Sequence, residues 1–368
     1  MSDQPLKIGE LASALEAEET PWEYEETDLF KLSPEEQVLR LGYTPGPDEP
    51  SLESREELAT ANLEAFTAGG FAAAAAPASF DWRNVGGRNF ITAVRNQGGC
   101  GSCVAFGTAA AVEGSLRVRI NDPTYPIDLS EAHLFYCHAR SQGRRCNNGW
   151  WVPPALDKLK DPGVADEACY PYTAGDQDCT NLCSNWQNRV ARLSGWHAIN
   201  SIADMKEWLS RSGPLVACYT VYADFFAYSS GIYRHVSGDV RGGHCVCCVG
   251  YNDAQRYWIM KNSWGSSWGE AGYFRIAYGQ CGIDATMWAI DGFTTGVWQN
   301  NKRVTGLWTI NQDRNAWVFI AGLGWKRIAY NNDNIFFSML SDLVAAKAAN
   351  RPVNFYEVQG LIRQVYVL

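Results

Sequence analysis

The chain has 368 residues, enough for two or three domains, with 15 tryptophans and 12 cysteines in a globular composition. A net charge of −9 argues against a nucleic-acid partner, and no apolar run approaches the length of a membrane span. Met1–Lys7 lacks the basic and apolar regions of a secretory signal, whereas the cysteine count suits an oxidising compartment such as the secretory route. The charge is uneven: residues 1–66 hold 17 acidic and 4 basic residues, leaving a mildly basic remainder.

The leading segment, residues 1–78, reads as an acidic leader. Ile8, Leu11 and Leu15 have helical spacing. Ser33-Pro34-Glu35-Glu36 is a helix start, with Ser as cap, Pro at the first position and Glu three residues on. Ser54 to Phe66 predicts another helix, and Gly69-Gly70-Phe71 with the alanines up to Pro77 predicts a linker. Residues 79–292 divide into a helix-rich first half, around Cys103 and Ser130–Cys137, and a second half of strands. Those strands are Leu215–Val221, Cys245–Tyr251, Tyr257–Lys261 and Gly272–Ala277. Residues 293–368 predict a small α+β module. Its strands are Val304–Ile310, Ala316–Ala321 and Trp325–Tyr330, its helix Asn332–Ala349, and its closing hairpin Val353–Val358 with Leu361–Val367. Its use is equally a binding surface or simple stabilisation.

Gln97-Gly98-Gly99-Cys100-Gly101-Ser102-Cys103 precedes a helix that runs through Ala109–Arg117. A thiol at such a helix start sits where backbone N–H groups and the helix dipole favour thiolate. His244 follows Cys103 by 141 residues and Asn262 by 159. Cys, His and Asn at roughly this separation suit a nucleophile, its base and the base's orienter. The cysteines after His244 raise the alternative of a metal site. However, Cys245–Cys248 reads as a strand whose alternate side chains diverge, and no second ligand pair has zinc spacing. No metal and no cofactor are expected.

These residues resemble the papain-like cysteine peptidases, and the similarity spans about residues 78–292. Phe80-Asp81-Trp82-Arg83, Leu129–Leu134, Cys146-Asn147-Asn148-Gly149-Trp150-Trp151, Tyr170-Pro171-Tyr172, Gly213-Pro214-Leu215 and Asn262-Ser263-Trp264-Gly265 carry it in order. Val104 departs from the aromatic residue the family has after its nucleophile. The resemblance implies an α+β fold of two lobes, one helical and one barrel-like, with a cleft between them. It implies Cys103 as nucleophile, His244 as acid–base, Asn262 as orienter and Gln97 as an oxyanion donor. Trp264 would cover the Asn–His contact, and Gly149 would pair its backbone with an extended peptide. Trp150 and Trp151 would flank the pocket for the side chain two residues before the scissile bond, with Cys218 and Cys245 as its floor and wall.

Among the cysteines, the resemblance implies Cys100–Cys146 and Cys137–Cys179 disulfides. Cys169 and Cys183 could join each other, or Cys183 could replace Cys179; a Cys218–Cys245 link across strands is a further possibility. The implied function is a cysteine endopeptidase acting on peptides and proteins through a thioester, made as a precursor whose leader is its own inhibitor. Protonation of leader carboxylates at acidic pH would loosen that leader from the basic body. Alternatives are a transpeptidase or amide ligase using the same site, and a weakly catalytic binding protein.

Overall fold

The computed structural model describes residues 5–18, 22–69, 76–294, 297–309, 315–328, 333–358 and 361–368. Most of the expected linker at 69–77 lies outside them. The chain divides into two compact units, residues 1–191 with 195–291, and residues 192–194 with 292–368.

In the first unit the leader contributes α1 (Ile8–Glu16), α2 (Pro34–Val38) and α3 (Leu52–Ala68). α1 buries Leu11 and Leu15. α2 begins on the expected reciprocal cap: the Ser33 hydroxyl accepts from the Glu36 N–H, and the Glu36 carboxylate accepts from the Ser33 N–H at 2.9 Å. α3 is capped by Ser51 and buries Arg55, Ala59 and Phe66. The helical lobe is built on α4 (Cys103–Arg119), α5 (Val152–Lys160) and a π-helical stretch at His133–Ala139. α4 is buried along Cys103–Leu116, and its run of alanine and glycine lets neighbours approach closely.

The β lobe is a predominantly antiparallel eight-stranded sheet, with α6 (Ile202–Arg211) in the same lobe. Its strands are β1 (Ser79–Asp81), β2 (Leu193–Ile199), a short strand at Ile232–Tyr233, and five more: β3 (Leu215–Tyr222), β4 (Val240–Asn252), β5 (Tyr257–Lys261), β6 (Tyr273–Ala277) and β7 (Met287–Phe293). The order is β2-β7-β3-β4-β5-β6-(232–233), with β1 added on β4. β3 and β4 pair over most of their length, placing Tyr219 opposite His244 and Cys218 opposite Cys245. This is the α+β, two-lobe architecture the resemblance implied.

The second unit has β8 (Val297–Lys302), β9 (Val304–Thr309), β10 (Ala316–Ile320), β11 (Gly324–Ile328), α7 (Asp333–Ala348), β12 (Val353–Val358) and β13 (Leu361–Val367). The sheet order is β8-β12-β13-β11-β10-β9, antiparallel except for β11 with β13. Val318, Ile320, Ile328, Phe355 and Ile362 pack against Phe336, Met339 and Leu343 of α7. β8 escaped the sequence reading because Trp298-Gln299-Asn300-Asn301 has a polar, turn-like composition.

Candidate active site

Cys103 is the first residue of α4 and is fully buried. Ser102 makes no side-chain cap; its hydroxyl instead bonds the Tyr172 hydroxyl at 2.8 Å, and Tyr172 donates to the Gln97 carbonyl at 2.8 Å. The first N–H groups of α4 are thereby left for the sulfur rather than for a cap.

His244 lies on β4, and Asn262 follows the end of β5. The imidazole Nε2–H donates to Asn262 Oδ1 at 2.8 Å, and the same oxygen accepts from the Ser263 N–H at 2.8 Å. Fixing Nε2 leaves Nδ1 as the basic nitrogen, and it is buried without a partner. The Trp264 ring lies 4.9 Å from the imidazole and stacks on Phe226 at 5.0 Å, closing this hydrogen bond off from water. Gln97 is held by two contacts to Ser263: its N–H donates to the Ser263 carbonyl at 2.8 Å, and its Oε1 accepts from the Ser263 hydroxyl at 2.6 Å. That orients its amide nitrogen.

What faces that nitrogen is the leader. Gln97 Nε2 donates to the Arg40 carbonyl at 3.0 Å and to the Cys100 carbonyl at 2.9 Å, and Trp264 Nε1 also donates to the Arg40 carbonyl, at 3.2 Å. The next residues run extended. Gly42 and Tyr43 donate to the Gly243 carbonyl, at 3.1 and 3.0 Å. Trp150 donates to the Gly42 carbonyl at 2.8 Å, and Thr44 donates to the Trp150 carbonyl at 2.9 Å. The leader is thus an extra strand between Trp150 and Gly243. Glycine is required where it crosses: a methyl group on Gly42 would sit 2.0 Å from the Gly101 carbonyl oxygen. Gly149, at φ +57°, lies beneath the Gly42 carbonyl, where a methyl group would come within 2.1 Å.

The pairing differs in detail from the sequence expectation. The backbone that bonds the leader belongs to Trp150, with Gly149 supplying close approach. The Trp150 side chain is buried and donates to Gln142 Oε1 at 2.9 Å, so it does not flank a pocket. Trp151 lies against Gly46 and under the Arg144 guanidinium. Cys218 and Cys245 are buried and outside the disulfides, and burial pushes the neighbouring Tyr43 hydroxyl well up. The sequence reading missed Arg55. It is buried, donates to the Cys218 carbonyl at 2.9 Å and to Thr286 at 3.3 Å, and lies 5.4 Å from the Tyr43 ring. A lone arginine on an otherwise acidic helix was its signal in the sequence.

The electrostatics follow from this cover. Burial pushes the Cys103 thiol well up, Cys218 adds to the rise, and the N–H groups of Cys245, Gly42 and Val104 only partly offset it. Burial also brings His244 down to about 4, against the pull of Asn262. With the leader in place, burial works against charge on both groups, and so against the thiolate–imidazolium pair. Among the described residues no group of three or more His, Cys, Asp or Glu is arranged to hold a metal ion.

A family model described as papain family cysteine protease matches residues 76–290. The chain belongs to the papain family of cysteine proteases. The protease is 36% identical over 237 residues to cathepsin B-like CP3 of Giardia intestinalis, covering 61% of this chain and 77% of that one. It is also 36% identical to a cathepsin L-like proteinase of Fasciola hepatica, covering 57% and 64%. Solved precursors share its fold. Procathepsin B S9 from Trypanosoma congolense aligns with a TM-score of 0.61 at 24% identity, over 78% of this chain and 98% of that one. Digestive procathepsin L2 from Tenebrio molitor aligns with a TM-score of 0.58 at 29% identity, over 73% and 84%.

Three disulfides hold the protease's helical lobe: Cys100–Cys146, Cys137–Cys179 and Cys169–Cys183. The first ties the loop before Cys103 to the loop that leads to Trp150. No described helix of the protease is long and apolar enough to cross a membrane.

Proposed function

We propose that the protease is an endopeptidase precursor in which Cys103 forms the thioester and residues 1–78 hold the cleft shut. The observation that carries this reading is the Arg40 carbonyl, which accepts from Gln97 and Trp264 beside the start of α4. A peptide oxygen of the leader occupies the donor that would otherwise serve a substrate's oxyanion.

When the leader leaves, water and substrate replace it, and the proton of Cys103 passes to Nδ1 of His244. The thiolate attacks the scissile carbonyl carbon, and the new S–C bond drives its oxygen toward the Gln97 amide and the Cys103 N–H. His244 gives its proton to the leaving nitrogen as the C–N bond breaks. It then takes a proton from the water that attacks the thioester, and returns it to sulfur as the acid departs. Asn262 keeps the imidazole turned so that Nδ1 faces the sulfur throughout. Substrate pairs its backbone with Trp150 and Gly243, as the leader strand does. A side chain in the place of Tyr43 meets Cys218 and Cys245, which favours apolar and aromatic groups there. Residues 292–368, with 192–194, form a separate compact unit.

Labelling with an epoxide inhibitor, read by mass spectrometry, tests this. The comparison is between full-length chain, chain whose leader has been removed by limited proteolysis, and Cys103→Ala. The label is expected on Cys103 only after the leader is gone. Equal labelling of the full-length chain would end the inhibitory role of residues 1–78, and no labelling of the folded, processed chain would end the peptidase reading.

A further inference from the structure

Six cysteines stand outside the disulfides, and all are buried. Two of them face each other. Cys218 on β3 is the register partner of Cys245 on β4, so their side chains stand on the same face of the sheet. Directly opposed residues in an antiparallel pair have Cα atoms about 4.5 or 5.5 Å apart, and both values fall within the range a disulfide spans. No other free pair has this arrangement. Cys247 and Cys248 are sequence neighbours on a strand, so their side chains diverge.

The pair sits in the cleft. The Cys245 sulfur packs on α4, where a methyl group on Gly107 would meet it at 3.1 Å. Gly107 is one turn on from Cys103. The cover over the pair comes from the leader. Tyr43 lies against Gly243, which shares the β4 face of Cys245. Arg55 bonds the Cys218 carbonyl and spans from the Tyr43 ring to the Trp288 ring, 5.4 and 5.6 Å away. The same unit carries three formed disulfides, which places its folding where dithiols are oxidised. Cys218 and Cys245 are outside those disulfides and buried.

We propose that Cys218 and Cys245 are a redox-modifiable dithiol in the wall of the substrate cleft, shielded by the leader and open after its removal to a low-molecular-weight disulfide. This rests on the leader reading above. One thiolate attacks a sulfur of the small disulfide, forming a mixed disulfide and releasing one small thiolate. The second protein thiol, giving its proton to solvent, attacks the protein-bound sulfur, closes the Cys218–Cys245 bond and releases the second thiolate. Two electrons pass to the small disulfide, and the two protons end on the released thiols. Closing the bond brings the two sulfurs to about 2.05 Å and reshapes the seat that Tyr43 fills.

The test exposes full-length and leader-cleaved protease to graded glutathione disulfide, blocks remaining thiols under denaturing conditions, and maps cysteines by peptide mass spectrometry. The expected result is a Cys218–Cys245 linked peptide, 2 Da lighter than its reduced parts, in the cleaved chain alone. Alongside it, kcat/KM per epoxide-titrated Cys103 is expected to fall about threefold or more on substrates with an aromatic side chain at the Tyr43 position, and dithiothreitol should restore it. A cleaved, active protease whose two thiols stay alkylatable overturns the proposal while leaving the leader reading intact. So does a linked peptide equally abundant in the full-length chain, or a Cys103–Cys218 link instead. A cleaved chain with no epoxide-reactive Cys103 overturns the leader reading, and the shielding with it. Cys218→Ser should abolish the linked peptide; if it does not fold, the wild-type mass map decides alone.

Discussion

The two units of the molecule treat aromatic side chains in opposite ways. In the first, Trp22, Tyr43, Trp264 and Trp268 are buried, and the leader supplies much of the cover. The interior there also holds polar groups without partners, among them Nδ1 of His244 and Nδ2 of Asn262. In the module the core is apolar apart from the Lys326–Glu357 ion pair at 2.7 Å and Gln299, and rings stand in solvent. Trp308 is 47% exposed, Trp325 49% and Tyr366 61%. Unpartnered buried polar atoms cost stability, and the module carries them too, at Gln299 Nε2 and Glu357 Oε2, so what separates the units is the exposure of their rings.

The strongest break of that comparison is Gln97→Ala. It is expected to cut kcat by about 10²–10³-fold, equivalent to about 2.7–4 kcal/mol of transition-state stabilisation, with little change in KM. Steady-state hydrolysis of a fluorogenic peptide by the leader-cleaved protease measures it; a loss confined to KM would remove Gln97 from the oxyanion site. The mirror experiment is Leu343→Ala, in the module core. It should lower the module's stability by about 2–5 kcal/mol, seen in thermal unfolding, while kcat and KM stay unchanged. A fall in kcat there would show that the two interiors are not separate.

Smaller effects sharpen the view of the leader. Gly42→Ala forces a methyl group against the Gly101 carbonyl, and such overpacking costs about 1–3 kcal/mol. The full-length chain should leak activity roughly tenfold above wild type, measured before any processing; unchanged latency would mean that the strand at 40–44 is not what closes the site.

The smallest effect concerns pH. Glu49 accepts from the Gly46 N–H at 2.8 Å and the Tyr43 hydroxyl at 3.3 Å, and burial raises its carboxyl above 4.5 despite those bonds and the nearby Arg55. A carboxyl raised in the docked state binds its proton more tightly there than when free. Its help to docking is therefore full below the ordinary value and lost as pH climbs through the raised one. Glu49 thus favours docking in acid, opposite to the release expected from bulk charge. Glu49→Gln should slow self-activation slightly at neutral pH and change little in acid; faster activation at pH 7 would reverse this sign.

Much of the secondary structure was legible in the sequence because it is written locally. The Ser33 cap with Pro34 and Glu36, the apolar spacing of α1, the strands around Cys245 and Tyr257, and the helix after Asn332 all depend on near neighbours. The candidate residues were also legible, since thiol, imidazole and amide carry their chemistry in their type and order. β8 was not, because its polar residues read as a turn until β12 pairs with them.

The sequence by itself determined the family, the α+β class and the residue types at the candidate site. Tertiary structure decided which leader carbonyl faces Gln97, that Trp150 rather than Gly149 bonds the leader, and that Arg55 and Tyr43 cover Cys218 and Cys245. It also decided the burial that opposes charge on Cys103 and His244. These depend on burial and on partners as far as 231 residues away in sequence, and a linear pattern carries no record of how deeply a group is taken out of water.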